Sequence, residues 1–444
     1  MRVVIIGGNA AGMSAAAKLK RMNQEAEVIV YERKDYISFG ACGLPYYIGD
    51  FFENDSTMIV RTKEQAEKAG IQVELKHEVT KVDEKNQTVE VKNLEDGSSQ
   101  TVAYDKLLIA SGASAILPPI ENAKCGNVFT LRTIEDGKAI RDKMLDPSIQ
   151  NIVIIGAGFI GLELVDAAMN QGKNVRLFQS GTSILKGVFD KEITDILEKE
   201  LVEKGVHLHL GKAVEKIVGE DKVTQIVADG EMFDADLVLI SVGIRPNTAF
   251  LEGTGMERIR NGAIVIDREG RTNLPNIYAA GDCAVVEHRL KKEPAYIPLA
   301  TTANKVGRVV GENLAGGHKP FPGTLGASCL KLLSLEAGKV GLCEEEAAAN
   351  GYDAKAVFIS DKNHTDYYPG QEEIHVKLVY EDGTNKILGG QIVGKEDAVM
   401  RTNVLSIAIA AGMTTDELGL MDFCYAPPFA RTWDVLNVVG NVAK

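Results

Sequence analysis

Two glycine-rich turns constrain this chain more than any other feature. Each closes a short apolar strand and opens a run of small and apolar residues. The first is Gly7-Gly8-Asn9-Ala10-Ala11-Gly12, after a strand expected over 2–6. The second is Gly156-Ala157-Gly158-Phe159-Ile160-Gly161, after a strand expected over 151–155. Helices are expected over 13–22 and 162–171, and second strands over 27–32 and 174–179. Strand, glycine turn, helix and strand form the unit that receives dinucleotides: glycine lets the backbone approach the pyrophosphate, and the helix N-terminus favours the anion. Two such units about 150 residues apart read as an internal repeat for two different dinucleotides. One is expected to be a bound flavin and the other a nicotinamide that comes and goes.

The two turns differ. In the first, Asn9 replaces the middle glycine, and Glu32 ends the second strand twenty residues past Gly12, where a carboxylate suits ribose hydroxyls. In the second all three glycines are present and Glu163 lies at the start of the helix, but Gln179 stands where the acid is expected. An acid there favours NAD and an arginine favours NADP. Gln179 is neutral, and neither Arg176 nor Lys186 is placed to decide, so NADH and NADPH both stay open.

The rest of the chain fits around these units. A helix is expected over 56–70, then alternating strands with Glu95-Asp96-Gly97 as a turn. An apolar strand from Leu107 ends in Ala110-Ser111-Gly112, and Pro118-Pro119 marks a crossing between domains. Another apolar strand, over 237–240, leads to Gly243. A short strand from Ile277 runs into Gly281-Asp282, with Asp282 placed for a flavin's ribityl or phosphate-side hydroxyl. A helix is expected to start near Thr301. From about 324 the composition changes: strands are expected over 326–335, 355–359, 375–380 and 386–393, and helices over 400–412 and 414–420. The aromatic and proline-rich stretch 421–429, with Trp433, suggests an interface. The expected fold class is α/β: two Rossmann-like dinucleotide-binding domains plus a C-terminal α+β dimerisation domain. The first covers 1–112 and 244–323, the second 113–243, and the dimerisation domain 324–444.

Charge and cysteine usage narrow the function. A formal net charge of −13 argues against binding nucleic acid or an anionic membrane surface. No apolar run reaches ~18 residues, so no membrane span is expected. The N-terminus enters a strand directly, so no signal sequence is expected. The six cysteines are scattered without a pair at metal spacing, so no metal site is expected, and reduced thiols in a cytoplasmic protein are. Cys42 stands apart, in Ser38-Phe39-Gly40-Ala41-Cys42-Gly43-Leu44-Pro45. Ser38 suits a helix cap and Pro45 a first turn, and a helix N-terminus lowers a thiol's pKa. A lone cysteine is usually a small core residue; two nucleotide units around this one reverse that reading.

Taken in order, Gly7–Gly12 with Glu32, the Cys42 loop, Gly156–Gly161 and Ala280-Gly281-Asp282 resemble the pyridine nucleotide-disulfide oxidoreductases over essentially the whole chain. Two-cysteine members carry C-x-x-x-x-C; here Tyr47 takes the second position. The resemblance is therefore to the single-cysteine branch of NADH oxidases, NADH peroxidases and coenzyme A disulfide reductases. Oxidases and peroxidases carry a histidine in the first turn, where this chain has Ala10. Coenzyme A disulfide reductases carry two C-terminal tyrosines that reach the partner subunit's site, matched here by Tyr367 and Tyr425. Coenzyme A disulfide reductase is favoured.

The resemblance implies an enzyme with FAD, NADH or NADPH, and coenzyme A as a covalent adduct on Cys42. Cys42, Tyr367 and Tyr425 would be catalytic. FAD would lie against Gly7, Gly8, Ala11, Gly12, Glu32, Arg33, Ser38, Ala110, Ser111, Gly112, Gly281, Asp282, Ala300 and Thr301. The nicotinamide dinucleotide would lie against Gly156, Gly158, Phe159, Ile160, Gly161, Glu163, Gln179 and Gly243. Lys18, Arg21, Ser38, Arg61 and Asn304 would meet coenzyme A disulfide, in a homodimer with shared active sites. The alternatives are an oxidase or peroxidase using a Cys42 sulfenic acid, a reductase of persulfides or other small disulfides, and a flavin redox sensor without turnover.

Overall fold

The computed structural model describes residues 1–443. They form two compact units. The first comprises Met1–Gly43, Asn54–Ala115 and Ile244–Thr324. Its centre is a parallel sheet in the order Ile277–Ala279, Lys106–Ile109, Arg2–Ile6, Glu27–Glu32 and Gln72–Leu75. Val3, Ile5, Val30 and Leu108 are buried on one face, and Val4, Ile29, Leu107 and Ile109 on the other. Burial on both faces is why these strands read as continuous apolar runs. The helices Ala10–Met22 and Ala300–Leu314 pack so closely that a Cβ on Gly307 or Gly311 would collide with the carbonyl of Ala11 or Ala15. A three-stranded antiparallel sheet, His77–Asp83, Thr88–Asn93 and Ser99–Ala103, covers the second face.

The second unit comprises Leu44–Glu53, Ile116–Gly243 and residues 325–443. It repeats the parallel sheet in the order His207–Leu210, Asn174–Gln179, Asn151–Ile155, Leu237–Ile240 and Val128–Thr130. It also holds an antiparallel sheet in the order Ser328–Leu332, Leu335–Gly341, Ile387–Gly394, Glu373–Glu381 and Ala354–Lys362, with the helix Ala398–Ala411 packed on it. Among the described residues no helix is long and apolar enough to cross a membrane.

The structure corrects several expectations. The helix expected over 56–70 is broken into a 3-10 turn, Asp55–Met58, and a helix, Lys63–Lys68, capped by Thr62. Ile59 instead bridges to Phe39, and Val60 donates its N–H to the Ser38 carbonyl; tertiary pairing overrides local helix preference. The single strand expected over 326–335 is a hairpin that turns at Leu333, where φ is +55°. The helices after the glycine turns start earlier, at Ala10 and Phe159, because the turn carbonyls of Asn9 and Gly158 already accept helical bonds from Met13 and Leu162.

Candidate active site

The first glycine turn is shaped by what lies against it. Gly7 has φ +103°, and a Cβ there would collide with the Ala110 carbonyl, so only glycine satisfies both conformation and space. Asn9 has φ −102° and ψ −152°, an extended backbone any residue adopts, so loss of the middle glycine costs the turn nothing. Glu32 accepts from the Gly8 N–H at 2.8 Å and the Lys34 N–H at 2.9 Å. Its carboxylate is thereby fixed at the turn, and Arg33 beside it is exposed.

Neighbouring strand ends complete this cradle. Asn247 ties Ser111 and Gly112: its N–H donates to the Gly112 carbonyl, its Nδ2 to the Ser111 carbonyl at 3.0 Å, and Ser111 Oγ to its own carbonyl at 2.7 Å. Gly281 lies over the start of the helix Ala10–Met22, where a Cβ would stand 3.0 Å from Ala11 Cβ. Asp282 accepts from the Tyr296 hydroxyl through its carbonyl at 3.0 Å. Ala300 and Thr301 lie exposed in the first turn of their helix. A tight backbone turn, a strand-end carboxylate and a helix N-terminus together fit a dinucleotide such as FAD. The sequence offered no signal for Asn247.

The second turn repeats this geometry with one change. Gly156 has φ +105°, while nothing lies within 4 Å of a Cβ placed on Gly158. That side of the turn is open, so the residues fit a second pyrophosphate. The Ala157 N–H donates to Gln179 Oε1 at 3.2 Å, the same bond that Gly8 makes to Glu32. A neutral amide thus replaces the carboxylate at a matched backbone donor. Phe159 and Ile160, half-buried, begin the helix Phe159–Asn170. Gly243, with φ +121°, follows the strand Leu237–Ile240. Burial pushes the Glu163 carboxyl up to about 7, with the Asp166 carboxylate adding to the effect.

Cys42 is exposed and in no disulfide. It occupies a 3-10 turn, Ala41–Gly43, directly before the helix Leu44–Ile48 that holds Pro45 in its first turn. Ser38 is too far back to cap that helix. With φ +51°, it donates its N–H to the Gly8 carbonyl at 2.9 Å and accepts from Val60 at 2.9 Å, tying its loop to the first glycine turn. Tyr47, where two-cysteine proteins carry the second thiol, is a buried anchor. Arg141 donates to its carbonyl at 2.8 Å, lies 4.8 Å from its ring centroid and pairs with Asp50.

Of the residues expected to meet substrate, Arg21 and Arg61 come together. With Lys20, Lys68, Gln24 and Gln65 they line a basic cavity of about 800 Å³. Lys18 does not join them: its ammonium pairs with Glu312 at 3.0 Å. Asn304 accepts from Ser14 Oγ at 2.7 Å.

Tyr367 and Tyr425 are also brought together. Their hydroxyls lie 2.8 Å apart, with the residues 69% and 44% exposed. That bond holds the Tyr367 phenol above its ordinary value. Both segments depend on one buried arginine that sequence reasoning missed. Arg401 donates to the carbonyls of Asn363 and Phe429, each at 3.0 Å, and to Asp434 at 3.0 Å. Met400, Ile407, Leu420, Phe429 and Trp433 are exposed on the same part of the chain, apolar surface that suits association.

The pattern that defines the pyridine nucleotide-disulphide oxidoreductases matches residues 1–307, and that of their dimerisation domain matches 328–435. An NAD(P)H coenzyme A polysulfide/persulfide reductase of Pyrococcus horikoshii is 40% identical over 443 residues, covering 100% of this chain and 98% of that protein. An NADH oxidase of Enterococcus faecalis is 38% identical over 445 residues, covering 100% and 99%. The solved structure of reduced Bacillus anthracis CoADR-RHD matches with a TM-score of 0.96 at 29% identity, covering 100% of this chain and 80% of that one.

Proposed function

We propose, from the premise that this chain belongs to the pyridine nucleotide-disulphide oxidoreductase family, that it reduces coenzyme A disulfide to two thiols through Cys42. The family makes it an NAD(P)H-dependent flavoprotein with a dimerisation domain. The observation that carries the finer reading is the Tyr367–Tyr425 hydroxyl pair, held on an exposed surface of that domain. An exposed Cys42 without a second cysteine at position 47, and Ala10 in place of a histidine, support it further.

Gly7, Glu32, Ser111 and Asp282 would hold FAD, and Gly156–Gly161 with Gln179 would hold NAD(P)H, which through the flavin would supply two electrons. The chain does the rest. The Cys42 thiolate attacks one sulfur of the disulfide, forming a Cys42–S–S–coenzyme A bond as the substrate S–S bond breaks. The departing thiolate takes a proton from the tyrosine pair of the partner subunit. Two electrons and a proton then cleave the mixed disulfide, returning the Cys42 thiolate and a second thiol. Arg21 and Arg61, which line one cavity, hold substrate phosphates, and Ser38 and Asn304 also meet the substrate. Lys18, paired with Glu312 at 3.0 Å, does not line that cavity. Between turnovers Cys42 rests as the mixed disulfide with coenzyme A, and reduction of that bond frees the thiolate for the next disulfide.

A second reading, reduction of a coenzyme A persulfide, is favoured by the likeness to the Pyrococcus horikoshii protein. The same attack on the sulfur next to coenzyme A forms the same adduct and releases sulfide. Mass spectrometry of the untreated protein tests both readings, and should find a coenzyme A adduct on Cys42. Turnover with coenzyme A disulfide, coenzyme A persulfide, oxygen and peroxide then separates them. Coenzyme A disulfide should be the best acceptor, with its turnover lost in Cys42→Ser. Faster turnover with oxygen or peroxide than with either coenzyme A compound would sink the proposal.

A further inference from the structure

The loop 180–189 joins Gln179 to Asp190, the N-cap of the helix Lys191–Glu203. At one side it is bonded to the second glycine turn. Ala157 donates its N–H to Gln179 Oε1 at 3.2 Å, and its carbonyl accepts from the Leu185 N–H at 2.9 Å. Leu185 has φ +46°, a conformation that a leucine holds only when its surroundings impose it.

The far end is held by the antiparallel sheet of the dimerisation domain. Val188 accepts at its carbonyl from Cys343 Sγ at 3.0 Å. Asp190 donates its N–H to Gln391 Oε1 at 2.7 Å, and Gln391 Nε2 donates back to Asp190 Oδ2 at 2.6 Å. Lys377 Nζ lies 3.6 Å from Asp190, 2.9 Å from Glu192 and 2.8 Å from Glu344. Lys377, Gln391 and Lys339 are register partners in one row across three strands, only 3%, 1% and 8% exposed. Burial draws the Lys377 ammonium down, but its bonds to Glu344 and Glu192 outweigh this and keep it charged.

A buried Lys–Gln–Lys row is a poor way to gain stability, because apolar side chains of similar volume do as well or better. Its advantage is direction: fully bonded polar groups allow one placement of the loop, where apolar contacts would allow several. We infer that Gln391 and Lys377 are positioning residues for the nicotinamide dinucleotide, acting through Asp190 and the loop on Ala157 and Gln179. This rests on the assignment of NAD(P)H to the second glycine turn.

The test is NADH fluorescence titration of the flavin-loaded dimer, with KM and kcat measured alongside. The variants are Gln391→Leu, Lys377→Met and Lys377→Arg, with Gly158→Val as the reference. The Gly158 side is open, so valine fits the fold while filling the phosphate's approach. Gln391→Leu and Lys377→Met should raise Kd and KM for NADH by roughly tenfold or more, with kcat, flavin content and dimer mass unchanged. Lys377→Arg should recover most of the affinity. Gly158→Val should weaken NADH binding at least as much. If it does while Gln391→Leu and Lys377→Met bind NADH normally, the inference is overturned and the site assignment stands. If Gly158→Val binds normally, the assignment fails and the inference falls with it. Should Lys377→Met not fold, the neutral Gln391→Leu decides alone.

Discussion

Glu32 and Gln179 accept a bond from matched backbone N–H groups in the two glycine turns, and they differ by one charge. That charge bears on cofactor choice. With no carboxylate at 179 to repel a 2′-phosphate, NADPH should be used measurably beside NADH. Gln179→Glu should shift the ratio of kcat/KM towards NADH by about tenfold, or ~1.4 kcal/mol; an unchanged ratio would place the determinant elsewhere. Glu163 offers a second test. Burial raises its carboxyl from 4.5 to about 7, so the fold favours the protonated form. Its contribution to stability is whole below about pH 4.5 and is lost as pH rises through about 7, at most about 3 kcal/mol. The wild-type denaturation midpoint should fall between pH 5 and pH 8, and the fall should shrink in Glu163→Gln. Equal falls in both proteins would show that the carboxyl does not titrate there.

At the scale of elements, the first unit depends on how closely Ala300–Leu314 approaches Ala10–Met22. Ala11 belongs to both the glycine turn and that contact. Gly307→Ala should therefore destabilise the protein by roughly 1–3 kcal/mol and loosen flavin as well, read by the denaturation midpoint and by flavin absorbance after gel filtration. A variant of unchanged midpoint and full flavin content would mean that the helices separate without cost. The parallel strands and glycine turns were legible beforehand, because burial on both faces and a tight turn leave a local pattern. The break at Ile59–Thr62 and the hairpin at Leu333 were not. The first depends on pairing with Phe39 and Ser38. The second is a left-handed leucine without the glycine that usually announces such a turn.

For the whole molecule, the dimerisation domain and the exposed apolar surface around Phe429 and Trp433 point to a two-fold dimer. If each tyrosine pair serves the partner's Cys42, activity should pass between chains. Cys42→Ser subunits and Tyr367→Phe/Tyr425→Phe subunits should each be nearly inactive towards coenzyme A disulfide as homodimers. Mixed dimers would hold one doubly defective site and one intact site, and should recover about half the wild-type activity. Verified heterodimers without activity would assign the tyrosines to their own chain's site, and active Tyr367→Phe/Tyr425→Phe homodimers would assign them to none.

The sequence by itself determined the α/β class, the two dinucleotide units, the strand-end residues Glu32 and Gln179, and the single cysteine opposite Tyr47 in the motif. Each depends on residues within one short stretch, where period, turn chemistry and spacing act locally. Only the tertiary structure decided that Lys18 pairs with Glu312, that Arg401 holds Asn363 and Phe429, and that Tyr367 and Tyr425 meet across 58 positions. The same is true of Gln391 reaching Asp190 across 201. A side chain's partner at such separations is chosen by the packing of the whole chain, and nothing in either local segment records it.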